Sequence, residues 1–355
     1  MRINPVIEGL SPFSYCGTGY GIRLDANESC VPMPQAIKNE IAGYISNTLQ
    51  LNRYPDDLTV GLRAAFGKAF DVDPECVVPG NGSAELINMI VGRLIPHGGT
   101  VVGMERDFGS YWSNAAIFER RAVKLPRLPD MTFTADMLID GAKEHNADLV
   151  IFSNPNNPSG SQLERQEVIH VIEALDCLVV VDEAYMDFSD QSVLDLAGKY
   201  NNLIVLRTLS KAMGAAGARV GFAVSTPELT YAMRSVRDAY NVSALDQAAA
   251  TILLGHPEYR EHTLYEIKRL MELMKNRLDR IAKRSGGSMK IYPSVVNFVL
   301  MWMQDAQSVC DELHKKDISL RLLDKHLLRI SVADEPTLCM VLDQLEDIVT
   351  KQVRE

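Results

Sequence analysis

Short apolar runs recur between residues 77 and 224, and most are separated by segments whose apolar residues have helical spacing. One such helical segment covers residues 163–175. Strands that are apolar on both faces and alternate with helices indicate a mostly parallel sheet covered by helices on both sides. The sequence therefore predicts an α/β fold, whose ligands lie at the carboxyl ends of the strands. The apolar runs are Val77-Val78, Val101-Val102, Leu149–Phe152, Leu178–Val181, Leu203–Leu206 and Val220–Val224.

The C-terminal part of the chain has a different pattern. A long helical pattern from about residue 258 to residue 282 ends at Gly286-Gly287. Beyond it the order is strand, helix, two strands and a final helix, which predicts a compact α+β domain. We therefore expect three parts: an N-terminal segment of residues 1–45 that joins the small domain, a large domain of residues 46–250, and a small C-terminal α+β domain of residues 251–355.

Composition argues against several classes of partner. The 355-residue chain has a formal net charge of −10, which disfavours nucleic acid, because duplex binding relies on clustered Lys and Arg. The apolar runs are far shorter than the roughly 20 residues of a membrane span, and the N-terminus lacks a signal-peptide core. We therefore expect a cytoplasmic protein with no membrane partner. The six cysteines form no C-x-x-C pair and the seven histidines no H-E-x-x-H pattern, so we expect reduced thiols and no metal site.

Four polar clusters follow apolar runs and would meet at the carboxyl edge of the predicted sheet. Taken singly, each has an ordinary explanation, since most lysines are solvated and glycines and polar residues after a strand often form turns. Together they offer a lysine, a carboxylate, an amide and an arginine beside a glycine turn that opens a helix, where backbone N–H groups favour an anion. The clusters are Pro79–Ser83, Asn154–Gly160, Asp182–Tyr185 and Arg207–Arg219.

The motifs N-P-N-N-P-S-G, V-V-V-D-E-A-Y and T-L-S-K-(x)7-R occur in this order, and the chain thereby resembles the fold-type-I enzymes that depend on pyridoxal phosphate, the class I and II aminotransferases. The resemblance covers nearly the whole chain. It implies pyridoxal 5'-phosphate as the cofactor, residues 46–250 as the cofactor-binding domain, and a homodimer. Within the class the chain is most similar to histidinol-phosphate aminotransferases, through Leu51–Pro55, Arg207–Lys211, Tyr240–Val242 and Leu328–Val332.

The resemblance implies a role for each residue of the cofactor site. Lys211 would bind the cofactor covalently and then carry a proton, and Asp182 would keep the ring nitrogen protonated. Tyr185 and Asn157 would donate to the ring oxygen, and Phe108 would stack on the ring. The phosphate would be bound by the helix start, by the lysine cluster and by a tyrosine of a second subunit, namely Ser83, Ala84, Thr208, Ser210, Arg219 and Tyr54.

On the substrate side, the resemblance implies that Arg329 binds the substrate anion, with Arg321 and Asn27 as further substrate-binding residues. A surface position is an equally open alternative for Arg321. Several positions depart from the histidinol-phosphate aminotransferase pattern. Arg106-Asp107-Phe108 stands in place of Pro-Thr-Tyr, Phe13 in place of a tyrosine, a connection of only seven residues separates Arg321 from Arg329, and Ala333-Asp334 replaces Gly-Thr.

These observations predict an aminotransferase of amino-acid biosynthesis that acts on a small phosphorylated amine or amino acid, with a 2-oxo acid such as 2-oxoglutarate as the amino acceptor. Two guanidinium groups near one site favour a dianion. The alternative is a decarboxylase of a phosphorylated amino acid, similar to threonine-phosphate decarboxylase, because the same scaffold supports both reactions. A nucleotide-binding dehydrogenase is disfavoured, since Pro79–Ser83 lacks the G-x-G-x-x-G spacing.

Overall fold

A computed structural model describes Val6 and residues 19–352, so Phe13 lies outside the described residues. The strands are β1 Ile22–Leu24, β2 Val77–Asn81, β3 Thr100–Met104, β4 Arg121–Leu125, β5 Leu149–Ser153, β6 Leu178–Asp182, β7 Leu203–Thr208, β8 Val220–Val224, β9 Met289–Ile291, β10 Phe298–Met303, β11 Ile318–Asp324 and β12 Leu327–Ser331. The α-helices are α1 Gln35–Asn47, α2 Val60–Phe70, α3 Gly82–Met89, α4 Gly109–Ile117, α5 Ala135–His145, α6 Arg165–Ala174, α7 Pro227–Val236, α8 Ala244–Leu254, α9 Pro257–Arg284, α10 Ala306–His314 and α11 Glu335–Gln352.

Within the described residues, the large sheet has seven strands in the order β2-β8-β7-β6-β5-β3-β4. The strands run parallel except β8, which is antiparallel to both of its neighbours. The prediction of an α/β fold with a mostly parallel sheet is therefore confirmed. The edge strand β4 is not predicted from the sequence, because Arg121 and Lys124 interrupt its apolar residues and its side chains are only partly covered.

Both faces of the large sheet are buried, which explains why its central strands show no alternation of apolar and polar residues. Along β5 and β6, successive side chains enter two different apolar clusters. Val150, Val179 and Val181 belong to one cluster, whereas Ile151 and Val180 belong to the cluster on the opposite face. Because both layers exclude water, the polar groups of these strands are confined to their ends.

The small sheet, in the part of the chain that the structure describes, has five strands in the order β1-β11-β12-β10-β9. Strand β1 runs parallel to β11, with Leu24 opposite Leu320, and the other pairs are antiparallel. One face packs on α9, α10 and α11 through side chains such as Leu328 and Ile330. The three-residue strand β1 is not predicted from the sequence, because so short a segment has no periodicity and its partner lies near the other end of the chain.

The opposite face of the small sheet carries polar side chains. On β12, Arg329 and Ser331 alternate with the core residues Leu328 and Ile330, so they project from this second face. The residues that follow β1 cross between the two sheets, since Asn27 bonds both Ser331 and Tyr185, which follows β6. The polar face of the small sheet therefore meets the carboxyl edge of the large sheet.

Among the described residues, no helix is both long enough and apolar enough to cross a membrane. The same residues contain no group of three His, Cys, Asp or Glu side chains placed to hold a metal ion. The domain boundaries near residues 45 and 250 stay predictions.

Candidate functional site

The carboxyl ends of β5, β6 and β7 bring three of the four polar clusters together. Ser153, the last residue of β5, lies opposite Asp182, the last residue of β6, and Asp182 lies opposite Leu206 of β7. Strand β8 begins at the same edge, next to the end of β2 and its glycine turn. The four clusters that the sequence predicts to meet at one sheet edge are therefore neighbours.

Asp182 is buried, with 3% of its surface exposed. Its carboxylate accepts hydrogen bonds from the Tyr111 hydroxyl at 2.7 Å and from the Ala184 backbone N–H at 3.0 Å. Burial raises the pKa of the Asp182 carboxyl, while these donors and the Lys211 charge oppose the rise. A buried carboxylate of this kind favours a cationic partner, such as a protonated ring nitrogen. The sequence does not single out Tyr111, because a buried tyrosine in a helix such as α4 resembles an ordinary core residue.

Lys211 follows β7 in a turn and is half-buried. Its Nζ donates to the backbone carbonyl of Ala26 at 2.9 Å. The same atom lies 5.5 Å from the centroid of the Tyr185 ring. The amine is thus held between the residues that follow β1 and those that follow β6. Lys211 is therefore not a fully solvated surface lysine.

Two glycines allow the Arg219 guanidinium and strand β8 to lie close to the start of α3. A Cβ atom on Gly82, whose φ is 72°, would lie 2.5 Å from Nη2 of Arg219. A Cβ atom on Gly221 would lie 2.4 Å from the backbone nitrogen of Ser83. Any side chain at these positions would displace the guanidinium or the helix start, so glycine is required. The backbone N–H groups of Ser83 and Ala84, in the first turn of α3, therefore lie near the Arg219 guanidinium.

Two hydroxyl groups lie beside the Arg219 guanidinium. The Thr208 hydroxyl donates to Oγ of Ser210 at 3.0 Å, and Nη1 of Arg219 lies 3.4 Å from that same oxygen. Nη1 of Arg219 also donates to the Ala216 carbonyl at 3.1 Å. Helix N–H groups, hydroxyls and a guanidinium are the groups that proteins use to bind phosphate.

Tyr185 and Asn27 are joined by a buried hydrogen bond. Nδ2 of Asn27 donates to the Tyr185 hydroxyl oxygen at 2.9 Å. The Ser331 hydroxyl donates to Oδ1 of Asn27 at 2.9 Å and accepts from the Asn27 backbone N–H at 3.0 Å. Protein groups therefore engage both ends of the Asn27 amide, and Asn27 is only 1% exposed.

Arg329 is buried and binds groups from two distant parts of the chain. Its Nη1 donates to Oδ1 of Asn157 at 2.5 Å, and its Nη2 donates to the Asp25 carbonyl at 2.7 Å. On the neighbouring strand, Arg321 lies directly opposite Arg329. Directly opposite residues of antiparallel strands project from the same face, and two like charges so placed destabilise the sheet unless an anion neutralises them.

The two aromatic residues predicted to contact the cofactor, Phe108 and Tyr54, lie in different surroundings. Phe108 begins α4, and its ring lies edge-on to Tyr111, with 5.7 Å between the centroids. Because Tyr111 bonds Asp182, Phe108 lies next to the residues around that carboxylate. Tyr54 is 80% exposed and stacks on Tyr240, with 4.5 Å between the centroids. Its ring projects into solvent.

Glu183, the second carboxylate of the D-E-A-Y cluster, supports the fold. It accepts hydrogen bonds from Arg207 at 3.0 Å and from the Ser192 hydroxyl at 2.7 Å. Burial raises the pKa of the Glu183 carboxyl, and the Arg207 charge opposes the rise. Arg207 thus anchors the end of β7, immediately before the predicted site residue Thr208.

Arg106 and Asp107, in the loop after β3, make polar contacts beside the site. Nη1 of Arg106 lies 2.8 Å from Oδ2 of Asp324, which joins the loop after β3 to the turn between β11 and β12. Asp107 is buried and accepts from the Ser153 hydroxyl at 2.5 Å. The Ser153 oxygen in turn accepts from the Asn157 backbone N–H at 3.1 Å. Burial raises the pKa of Asp107 to about 6.

The residues present fit pyridoxal phosphate. The glycine cradle at Gly82 and Gly221 leaves backbone N–H groups and Arg219 for a phosphate. The buried Asp182 carboxylate suits a ring nitrogen that gains a proton, and the Lys211 amine suits attack on an electrophilic carbon.

The chain matches known proteins over almost its whole length. Residues 20–343 match the family Aminotransferase class I and II. Histidinol-phosphate aminotransferase of Ruminiclostridium cellulolyticum is 33% identical over 351 residues, which cover 97% of each chain. The structure is similar to that of histidinol-phosphate aminotransferase from Sinorhizobium meliloti in complex with pyridoxal-5'-phosphate, with a TM-score of 0.86, 27% identity, and 99% and 98% of the two chains covered. L-threonine-O-3-phosphate decarboxylase from Porphyromonas gingivalis has a TM-score of 0.79 over 92% and 99% of the two chains, and its 19% identity shows the fold alone.

Proposed function

Since the chain belongs to the class I and II aminotransferase family, we propose that it moves an amino group from a small phosphorylated amine or amino acid to a 2-oxo acid such as 2-oxoglutarate. The reaction would be of the histidinol-phosphate aminotransferase type. The observation that carries this proposal is the cross-strand pair of Arg321 and Arg329 on the sheet face that meets the site, with Arg329 bonded to Asn157.

Family membership makes pyridoxal 5'-phosphate the cofactor, and the site supports it. When bound, the cofactor supplies an electron sink for negative charge on the substrate carbon. Asp182 would hold a proton on the ring nitrogen, with Tyr111 fixing the orientation of its carboxylate. The phosphate would be bound by Ser83, Ala84, Thr208, Ser210 and Arg219.

Lys211 would bind the cofactor and, once the substrate replaces it, move a proton at the substrate carbon. The Ala26 carbonyl is the acceptor that keeps the released amine in the site. Tyr185 and Asn157 would donate to the ring oxygen. Because Oδ1 of Asn157 accepts from Arg329, its amide nitrogen faces away from the guanidinium and is oriented to donate.

Arg329 and Arg321 would bind the anionic group of the substrate. A phosphate monoester carries nearly two negative charges at neutral pH, since its second pKa is about 6. Two guanidinium groups on one face neutralise such a dianion better than they neutralise a carboxylate with one charge. The pair therefore supports a phosphorylated substrate over its unphosphorylated counterpart.

The exposed surface around Tyr54 supports a homodimer in which Tyr54 reaches the phosphate site of a partner subunit. Apolar side chains near it are exposed, including Leu51 at 67% and Leu58 at 61%. The loop is nevertheless ordered, because Asp57 accepts hydrogen bonds from Arg237 and from the Tyr240 backbone N–H. An ordered apolar surface of this kind is typical of a protein interface. The cytoplasmic location stays a prediction.

A donor panel tests the proposed reaction. The loaded protein is mixed with histidinol phosphate, phosphoserine and phosphothreonine, and with their unphosphorylated counterparts, and the visible spectrum is followed in single turnovers. We expect rapid spectral change only with phosphorylated donors, followed by glutamate formation when 2-oxoglutarate is added.

Equal rates with phosphorylated and unphosphorylated donors would contradict binding of a dianion. Carbon dioxide release without a keto acid, detected by mass spectrometry, would instead assign the decarboxylase alternative. The Lys211→Ala variant controls for reaction with free cofactor.

A further inference from the structure

We propose that Asn27 and Ser331 are positioning residues that set the direction of the hydrogen bond made by Tyr185. In this relay, Ser331 donates to Asn27, Asn27 donates to Tyr185, and Tyr185 keeps its own proton for the ring oxygen of the cofactor. The inference rests on the proposed function, because it requires Tyr185 to face the cofactor.

The Ser331 hydroxyl determines the direction of the relay. The Ser331 oxygen accepts a hydrogen bond from the Asn27 backbone N–H at 3.0 Å, and the Ser331 hydroxyl donates a hydrogen bond to Oδ1 of Asn27 at 2.9 Å. A flipped amide would place an NH₂ donor against Ser331 and deprive the buried hydroxyl proton of this acceptor. Nδ2 of Asn27 therefore faces the Tyr185 oxygen, at 2.9 Å. A hydroxyl oxygen that accepts this N–H still has one proton to donate.

The backbone holds Asn27 in the required place. Asn27 has a φ of 54°, in the left-handed region that asparagine and aspartate tolerate better than most residues. Its carbonyl accepts from Nδ2 of Asn297 at 3.2 Å. Since both neighbours are buried, the amide has little freedom to turn.

The relay links β12 to the segment that follows β6. Ser331 lies on β12 two positions after Arg329, on the same face of the small sheet. Tyr185 follows β6 and packs edge-on against Phe298, with 5.3 Å between the ring centroids. The resemblance implies that Asn27 binds the substrate, but both polar ends of its side chain bond protein groups. We therefore assign its effect to Tyr185.

Charged groups also surround Tyr185, and the test has to separate their effect from that of the relay. Lys211 lies 5.5 Å from the ring centroid, and Arg329 lies 5.0 Å from the centroid of the adjoining Phe298 ring. Asp182 ends the strand that precedes Tyr185. The substitutions proposed below leave these three charges in place.

The pKa of the bound chromophore, measured by titrating the visible absorbance of the holoenzyme, reports the relay. A hydrogen bond donated to the ring oxygen draws negative charge away from the nitrogen that joins the cofactor to Lys211, and so lowers the pKa of that nitrogen. In Asn27→Asp, the carboxylate accepts hydrogen bonds from the hydroxyls of both Ser331 and Tyr185, so the Tyr185 proton turns away from the cofactor. We expect the chromophore pKa to rise by about one pH unit, the size of a lost hydrogen bond to a charged oxygen.

Two further variants guard against a folding defect and a general effect of packing. Ser331→Ala removes the hydroxyl that orients the amide, and we expect a smaller rise in the same direction. Ser319→Ala is the matched control, because Ser319 is equally buried on the same face but bonds Asp25 at 3.1 Å. We expect it to leave the chromophore pKa unchanged.

The Tyr185→Phe background separates the relay from the added charge. If the relay acts through Tyr185, Tyr185→Phe alone raises the chromophore pKa and Asn27→Asp adds little to it. An undiminished shift in that background would overturn the relay, as would equal chromophore pKa values in the parent protein, Asn27→Asp and Ser331→Ala. A parent protein that forms no visible chromophore would overturn the proposed function instead.

Discussion

Two regions of the site are built by different kinds of contact. At the cofactor edge, defined by Asp182, Thr208, Ser210, Lys211 and Arg219, several hydrogen bonds join near neighbours, such as Ala184 with Asp182. On the arginine face, defined by Arg321 and Arg329, Arg329 binds groups that lie 172 and 304 positions away along the chain. Apart from the bonds of Lys211 to the Ala26 carbonyl and of Tyr111 to Asp182, the cofactor edge depends on turns at strand ends, whereas the arginine face takes effect only when two sheets meet.

This difference bears on a contact beside the arginine face. Arg106, in the loop after β3, pairs with Asp324 at the end of β11, the strand that carries Arg321. We expect a region assembled from separate elements to accept changes in one element without disturbing the turns of the cofactor edge.

We expect the cofactor edge to contain the residue that is essential for amino-group transfer. Lys211→Ala removes the amine that binds the cofactor and moves the proton, so we expect kcat to fall by more than about 10³-fold. Glutamate formation measures the loss. Lys199→Ala, at an exposed position, should retain full activity. A Lys211→Ala enzyme within tenfold of the parent would refute the role of the cofactor edge.

The arginine face should control the substrate and leave the cofactor bound. Arg329→Ala removes the charged fork, and we expect kcat/KM for the phosphorylated donor to fall by about 10²- to 10³-fold. The visible spectrum of the loaded enzyme should remain. Arg269→Ala, an exposed arginine on α9, serves as the control. Loss of cofactor binding in Arg329→Ala, and not in Arg269→Ala, would show that the two regions are not separable.

The free energy of unfolding should depend on pH through Asp107. This residue joins the loop after β3 to the loop of Asn157 through Ser153. Burial raises its pKa to about 6 from 3.8, so the protonated form favours the fold. The stabilising contribution is complete below about pH 4 and is lost as the pH rises through about 6. A rise of about two pH units in the pKa of Asp107 corresponds to about 3 kcal/mol in the free energy of unfolding.

Urea denaturation between pH 4.5 and 7.5 tests this expectation. Asp107→Asn retains an acceptor for the Ser153 hydroxyl but cannot titrate. The free energy of unfolding of this variant should therefore increase relative to that of the parent protein as the pH rises. Other buried carboxylates, such as Asp182 and Glu183, remain in both proteins and cancel in the difference. A difference that does not vary with pH would mean that Asp107 does not titrate in this range.

The smallest expected effect is at the ion pair between the loop after β3 and the end of β11, beside the arginine face. The Arg106–Asp324 pair is partly exposed, and such pairs contribute about 0.2–1 kcal/mol. A double-mutant cycle with Arg106→Ala and Asp324→Asn should therefore give a coupling of less than about fivefold in KM. Asparagine retains the acceptor for the His326 backbone N–H, which preserves the turn. A coupling above tenfold would make this pair a principal substrate determinant.

Much of the fold could be predicted because its signals are local. The apolar runs of β5 to β8 and the helical spacing of α6 and α9 lie within single segments, so their periodicity is readable. The same holds for the turns after β2, β5, β6 and β7, where glycine, proline and polar residues stand at strand ends. The short strand β1 and the exposed strand β4 have no such pattern.

The sequence by itself determined the order of the central strands of the large sheet, the sheet edge that holds Lys211 and Asp182, and the family. Only the tertiary structure decided that Tyr111 bonds Asp182, that Arg321 lies opposite Arg329, and that Asn27 joins Ser331 to Tyr185. The physical reason is the separation along the chain over which each signal acts. Periodicity and turn chemistry act over a few residues, whereas these contacts depend on strand register and on which sheet faces meet, and no local pattern encodes either.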